Sequence, residues 1–239
     1  MNKEQKESLS TLEEKISYRF NEPKLLVQAL THSSYINEHT EEDIQDNERL
    51  EFLGDAVLDL AVGDMLFRHY QDADEGKLSR FRAVLVDERG LFEQAQKIDL
   101  GEYLLLGRGE EQGGGRHKPK VLAGSFEALL GAVYLDGGYD AAYRVIESLF
   151  GDQVEGAAHR IDSADPKSTL QEFTQASYKC LPDYKVIAEE GPPHERSFKI
   201  ALYLKGELIS IGKGRSKKEA EQEAAKEALN WLKARETYS

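Results

Sequence analysis

Apolar residues recur at helical spacing through most of the first 150 residues, and at alternate positions in a short stretch further on. Leu12, Ile16 and Phe20 share one helical face. Asn21-Glu22-Pro23 ends that run and opens another, which Leu25, Leu26, Ala29 and Leu30 continue. A polar, acidic loop at 41–46 precedes a long periodic run that reaches about Tyr70. A helical pair follows over 76–98, and a further helix over 122–135. No alternating pattern interrupts these runs, so the first part is expected to be all-α. The glycine-rich segment 107–116 lacks the Gly-Lys-Ser/Thr ending of a phosphate loop and no strand precedes it, so a mobile connecting loop is expected there.

From about Gly151 to Ala164 the composition shifts to Gly, Ala, Asp, Glu and Ser, which reads as a linker closed by Asp165-Pro166. A helix is expected from Ser168 to about Ala176. Tyr184, Val186 and Ala188 then alternate with polar residues, as do Phe198, Ile200 and Leu202, and Leu208, Ile209 and Ile211 follow. Gly212-Lys213-Gly214-Arg215 turns into a last helix with Ser216 as its N-cap and Ala220, Ala224, Ala225, Leu229 and Leu232 as its inner face. The order is α-β-β-β-α. The expected boundaries are a first, all-α domain over 11–140, the end of its last helix and the linker over 141–164, and a second, α+β domain over 165–235.

Composition adds little until the chain is divided. The formal net charge of −13 argues against a nucleic-acid partner. Residues 1–165 carry 18 Lys+Arg against 33 Asp+Glu, whereas residues 166–239 carry 13 against 11. The acid therefore belongs to the first module, and the second is mildly basic. An acidic module can still act on a polyanion if divalent cations reverse the local sign. No apolar run is long enough to span a membrane, and the polar start Met1-Asn2-Lys3-Glu4-Gln5-Lys6 has no signal-peptide core behind it. The single cysteine, Cys180, forms no internal disulfide and is expected to pack beside the Leu181-Pro182 turn. A cytoplasmic location fits these features.

The densest chemistry lies in Asn47-Glu48-Arg49-Leu50-Glu51-Phe52-Leu53-Gly54-Asp55-Ala56-Val57-Leu58. At 100° per residue, Leu50, Leu53, Val57 and Leu60 share one side, with Ala61 beside them. Glu48, Glu51, Asp55 and Asp59 share the other. Gathered carboxylates repel, so a site that collects them is neutralised by a metal or by protons. The plainer reading is an amphipathic helix with a solvated acidic face. No His or Cys pattern has zinc spacing.

That string resembles the signature helix of the ribonuclease III family. Three more segments are similar to the family's boxes: Ala29-Leu30-Thr31-His32-Ser33-Ser34, Asp74-Glu75-Gly76-Lys77-Leu78-Ser79-Arg80 and Phe126-Glu127-Ala128-Leu129-Leu130-Gly131-Ala132. The C-terminal segment resembles a double-stranded-RNA-binding domain, so nearly the whole chain looks like a bacterial ribonuclease III. The resemblance implies a Mg²⁺-dependent endoribonuclease (Mn²⁺ substituting) that cuts double-stranded RNA to 5′-phosphate and 3′-hydroxyl ends and processes rRNA precursors and structured messages. It implies Asp55 and Glu127 as catalytic residues, Glu51, Asp55 and Glu127 as metal ligands, and Glu48 and Glu75 as accessory acids. Thr169, Gln171 and Glu172 match a helix face that enters one minor groove of the duplex, Pro193 and His194 the loop that enters the next, and Lys217 and Lys218 the phosphate contact between them. Lys213 and Arg215 extend that basic patch.

Two departures matter. The family's pattern carries an aspartate three residues before Glu127, where this chain has Gly124. Many domains of the second kind carry a third basic residue where this chain has Glu221. Gly124 leaves a second reading open, a non-catalytic double-stranded-RNA-binding protein on the same scaffold, which the intact Glu48, Glu51, Asp55, Glu75 and Glu127 oppose. The family is homodimeric through the signature helix, which implies Phe52 at the interface. By wheel angle Phe52 lies between the apolar and acidic sides, so its spacing equally allows a place in its own core.

Overall fold

The computed structural model describes residues 3–39, 45–158, 166–191 and 196–236. The chain divides into two compact units, Met1–Ala157 and Ala158–Ser239.

In the first unit, α1 spans Lys3–Lys15, α2 Pro23–Ala29 and α3 Ser33–Glu38. The signature helix α4 runs Glu48–His69, followed by α5 (Glu75–Leu85) and α6 (Glu88–Lys97). A short α7 (Arg108–Gln112) leads to α8 (Pro119–Glu155), which is interrupted at Gly138. Asp74 and Asp87 start α5 and α6 by accepting the N–H of Lys77 and Gly90, at 2.8 Å and 2.7 Å. The only β pairing in this unit, among the described residues, is an isolated bridge between Thr31 and Leu105.

The unit is organised by α4 lying against α8. The two backbones touch where both helices carry glycine. A Cβ on Gly54 would stand 1.8 Å from the Glu127 carbonyl oxygen, and one on Gly131 would stand 2.3 Å from that of Leu50. Neither position has room for a side chain, so the interaxial distance is set by main chain. Leu58, Ala61, Val62 and Leu66 of α4 and Phe126, Leu129, Leu130 and Val133 of α8 are all buried in the core.

This contact corrects the expected inner face of α4. Leu60, expected beside Leu50 and Val57, is 60% exposed, because the buried side is centred on Gly54, Leu58 and Ala61. Segment 107–116, expected as a mobile loop, holds α7 and most of a 3-10 turn at Gly115–His117. Arg116 pins it by donating to the Gly101 and Leu104 carbonyls at 2.8 Å and 2.9 Å. Gly151, expected to open the linker, is still helical, since α8 continues to Glu155. Residues 159–165, the centre of the expected linker, lie outside the described residues, as do 40–44 of the acidic loop.

The second unit runs α9 (Pro166–Tyr178), β1 (Asp183–Glu190), β2 (Ser197–Leu204), β3 (Glu207–Gly214) and α10 (Lys217–Glu236). The strands form one antiparallel sheet in the order β1-β2-β3, with Tyr184 opposite Leu202 and Ile200 opposite Gly212. Both helices bury their apolar sides with the sheet, in a core that includes Leu170, Leu202, Ala224, Ala228 and Leu232. Cys180 is half-buried at the edge of that core. Ile211 is exposed, because β3 faces α10 with Ser210 and Gly212; the Ser210 hydroxyl donates to the Ala224 carbonyl at 2.6 Å. Val186 is exposed beside an irregularity that shifts the register between it and Ala188.

Candidate active site

The start of α4 is fixed by a buried asparagine. Asn47 donates its backbone N–H to the Thr31 carbonyl at 2.9 Å. Its side-chain amide donates to the Ala29 carbonyl and to the Ser125 hydroxyl, both at 3.3 Å. One side chain thus joins the end of α2, the first turn of α4 and the acidic stretch of α8. Neither Asn47 nor Ser125 stood out in the sequence, because their bond joins residues 78 apart.

From that anchor α4 presents Glu48, Glu51 and Asp55, while α8 presents Glu127. Glu48 and Asp55 are exposed; Glu51 and Glu127 are half-buried. Burial pushes the Glu127 carboxyl up to about 7, and the neighbouring charges of Asp55, Glu51 and Asp59 push the same way. Glu51 is also raised, first by burial and then by Glu48, with Lys120 and His32 pulling against them. The structure therefore brings Glu48, Glu51, Asp55 and Glu127 into one electrostatic group. Glu75 is not among the charges acting on Glu51 or Glu127; it lies exposed at the start of α5, where it accepts the Ser79 hydroxyl at 3.1 Å.

A half-buried carboxyl raised by burial and by neighbouring charge, as Glu127 and Glu51 are, is chemically suited to a hard divalent cation, which takes oxygen ligands and fills its remaining positions with water. The set is open rather than closed. Among the described residues no three carboxylate, imidazole or thiol groups converge closely enough to hold an ion between them. At Gly124, where a fourth carboxylate is missing, nothing extends from α8.

His32 and Lys120 are neighbours of the site that residue spacing did not reveal. His32 accepts the Ser34 N–H on Nδ1 at 3.2 Å and so caps α3. Lys120 stands four residues before Gly124, in the first turn of α8.

In the second unit, α9 carries Thr169, Gln171 and Glu172, the last two exposed. Lys217 and Lys218 form the exposed first turn of α10. That turn is held by Ser216, which accepts the Glu219 N–H at 3.1 Å, while the Glu219 carboxylate accepts the Arg215 N–H at 2.7 Å. Glu221 receives Lys167 of α9 at 2.5 Å, so this acid is spent on a bridge inside the unit. Pro193 and His194 lie outside the described residues. Phe52 is 81% exposed, so the first unit's own core does not take it. Leu60 and Phe67, the latter 70% exposed, stand out from the same helix.

Residues 22–153 match the family described as Ribonuclease-III-like, and residues 166–232 match the double-stranded RNA binding motif. The chain is 48% identical over 225 residues to the Ribonuclease 3 of Syntrophotalea carbinolica, covering 94% of this chain and 97% of that one. It is 46% identical over 223 residues to the Ribonuclease 3 of Bacillus licheniformis, covering 93% and 89%. Among solved structures, the nuclease domain of ribonuclease III from Campylobacter jejuni, in which a flexible region is involved in dimer formation, matches with a TM-score of 0.54. The two share 41% identity, over 59% of this chain and 97% of that chain.

Proposed function

Because this chain belongs to the ribonuclease III family, as a double-strand-specific endoribonuclease that ends in a double-stranded-RNA-binding domain, we propose that Glu51, Asp55 and Glu127 carry its hydrolysis of the duplex. The observation that supports this assignment is the raised Glu127 carboxyl, pushed up to about 7 first by burial and then by the charges of Asp55 and Glu51 across the contact between α4 and α8. The family depends on divalent metal. In our reading the ion is Mg²⁺, with Mn²⁺ able to replace it, and Glu51, Asp55 and Glu127 hold it. A bound ion of this kind activates water and offsets charge at the phosphate. Asp55 and Glu127 lie closest to the chemistry in this reading; Glu48 adds negative charge beside Glu51, and Glu75 serves the substrate from α5. Asn47 positions the first turn of α4 against Ser125.

The second unit brings the duplex to this site. Thr169, Gln171, Glu172, Pro193 and His194 read its minor grooves by shape, and Lys217 and Lys218 hold the phosphates between. Cutting both strands takes two sites related by a two-fold axis, which a homodimer supplies. We place that interface on the exposed apolar side of α4, with Phe52 in it. The products carry 5′-phosphate and 3′-hydroxyl ends with short 3′ overhangs. The substrates are rRNA precursors and structured messages, met in the cytoplasm. No described helix is long and apolar enough to cross a membrane. The non-catalytic reading that Gly124 opens is not favoured, given full-length relatives named as the enzyme.

The test is cleavage of a long RNA duplex with Mg²⁺, beside EDTA and Glu127→Gln controls. Discrete short duplexes, lost in both controls, are the expected result. Retarded but uncut RNA in all three reactions would overturn the assignment.

A further inference from the structure

Ionised carboxylates accept hydrogen bonds and donate none, and the same is true of the phosphates of an RNA chain. An acidic site therefore needs donors to hold its substrate. Two side chains that carry them, Lys120 and His32, lie within electrostatic reach of Glu51. Lys120 is exposed and ends a flexible four-carbon stem. His32 is held in place. It is half-buried, and its main-chain N–H donates to the Leu105 carbonyl at 3.1 Å. On the ring, Nδ1 accepts the Ser34 N–H at 3.2 Å. The Ser34 hydroxyl lies 2.8 Å from the same nitrogen and accepts the Gly107 N–H at 2.9 Å, so its own hydrogen is left for Nδ1. A nitrogen that accepts from both carries no proton, which puts the ring's proton on Nε2. Gly107 closes this arrangement at main-chain distance, since a Cβ there would stand 2.4 Å from the Ser34 carbonyl oxygen. Among the described residues, none accepts a hydrogen bond from Nε2.

We infer that His32 holds the substrate: its Nε2–H donates to a backbone oxygen of the RNA strand at the acidic site. The inference rests on the nuclease reading above and goes beyond it, because it adds a fixed donor from the turn between α2 and α3 to a site built from acceptors on α4 and α8. It also gives the two ring nitrogens separate tasks. Nδ1 caps α3, and Nε2 meets the duplex.

Two substitutions part those tasks. Asparagine places an acceptor where Nδ1 stands and reaches no further. Glutamine places an N–H near Nε2 and gives up the cap. The readout is kcat/KM on a short RNA duplex cut at one position, with Mn²⁺ binding in the absence of RNA and thermal unfolding measured alongside on the full chain. His32→Asn is expected to keep its melting temperature and its Mn²⁺ affinity, and to lose about 10-fold in kcat/KM, what a hydrogen bond to a charged acceptor is worth. His32→Gln is expected to melt lower, for want of the cap, yet to cleave faster than His32→Asn. A 2′-deoxy nucleotide at the cut position tells the backbone oxygens apart. It erases the difference between His32→Asn and the unaltered chain where the acceptor is the 2′-hydroxyl, and preserves it where the acceptor is phosphate. Equal cleavage by His32→Asn and the unaltered chain would overturn the inference and leave the nuclease reading intact. So would a loss that follows the melting temperature across both variants, or one matched by weakened Mn²⁺ binding. Failure of the unaltered chain to cut would overturn both.

Discussion

Glu127 carries a consequence for stability that does not depend on turnover. Its carboxyl is raised from 4.5 to about 7, so between those values the folded chain keeps a proton that the unfolded chain has released. Folding is favoured by that proton, and rising pH through this window favours the unfolded chain. In EDTA, the melting temperature should therefore fall as pH rises from about 5 to above 7, the interval set by that shift. Mg²⁺ should restore it at the upper end, and Glu127→Gln should flatten the profile; a flat profile in the unaltered chain would show that burial and the neighbouring charges do not raise Glu127 as described. At this scale the sequence was partly legible. Glu51 and Asp55 were readable as neighbours from a spacing of four, and Gly124 was visible as a departure. That Glu51 lies over Gly124 was not, because periodicity assigns a side to a side chain and says nothing of what fills the space beside it. Asn47 and Ser125 were missed for the same reason, since their bond joins residues 78 apart.

At the scale of the element, α4 shows where periodicity misleads. A helix apolar on most of its circumference has no single inward direction, and here backbone contact at Gly54 selected it. Leu60 was drawn inward by the wheel and stands outside. The α-β-β-β-α order was legible because turn residues and alternation are local, whereas the outward aim of Ile211 follows from how closely α10 approaches Gly212. For α10 itself the prediction concerns its first turn. Lys217 and Lys218 are exposed behind a capped start, so replacing both with alanine should leave the helix folded. Binding to duplex RNA should weaken across sequences alike, and the slope of log affinity against log salt should shrink by about one per lysine. An unchanged slope would place the phosphate contact elsewhere.

At the scale of the molecule, the charge division by sequence already separated an acidic unit from a mildly basic one, and both family matches fall within those halves. The proposed dimer was less legible, because Phe52 sits at an ambiguous wheel angle. Its exposure, with that of Leu60 and Phe67, leaves α4 with an apolar side that its own unit does not cover. Phe52→Asp should shift the chain from dimer to monomer in analytical ultracentrifugation. The monomer should still bind duplex RNA through the second unit while losing paired-strand cleavage. A dimer that survives Phe52→Asp, Leu60→Asp and Phe67→Asp together would move the interface off α4.

The glycine-to-glycine seam between α4 and α8 also bears on which ions the proposed site tolerates. Two helices separated by side chains can close up as those side chains repack; two in main-chain contact can come no closer. A cation of smaller radius therefore cannot draw the floor of the proposed site inward. Adjustment is left to the carboxylate arms on the α4 side, Glu51 and Asp55, which can swing while Glu127 stays seated beside the seam. With the proposed ligands, discrimination by ionic size is thus divided unequally between the two helices, with a fixed wall on one side and movable arms on the other.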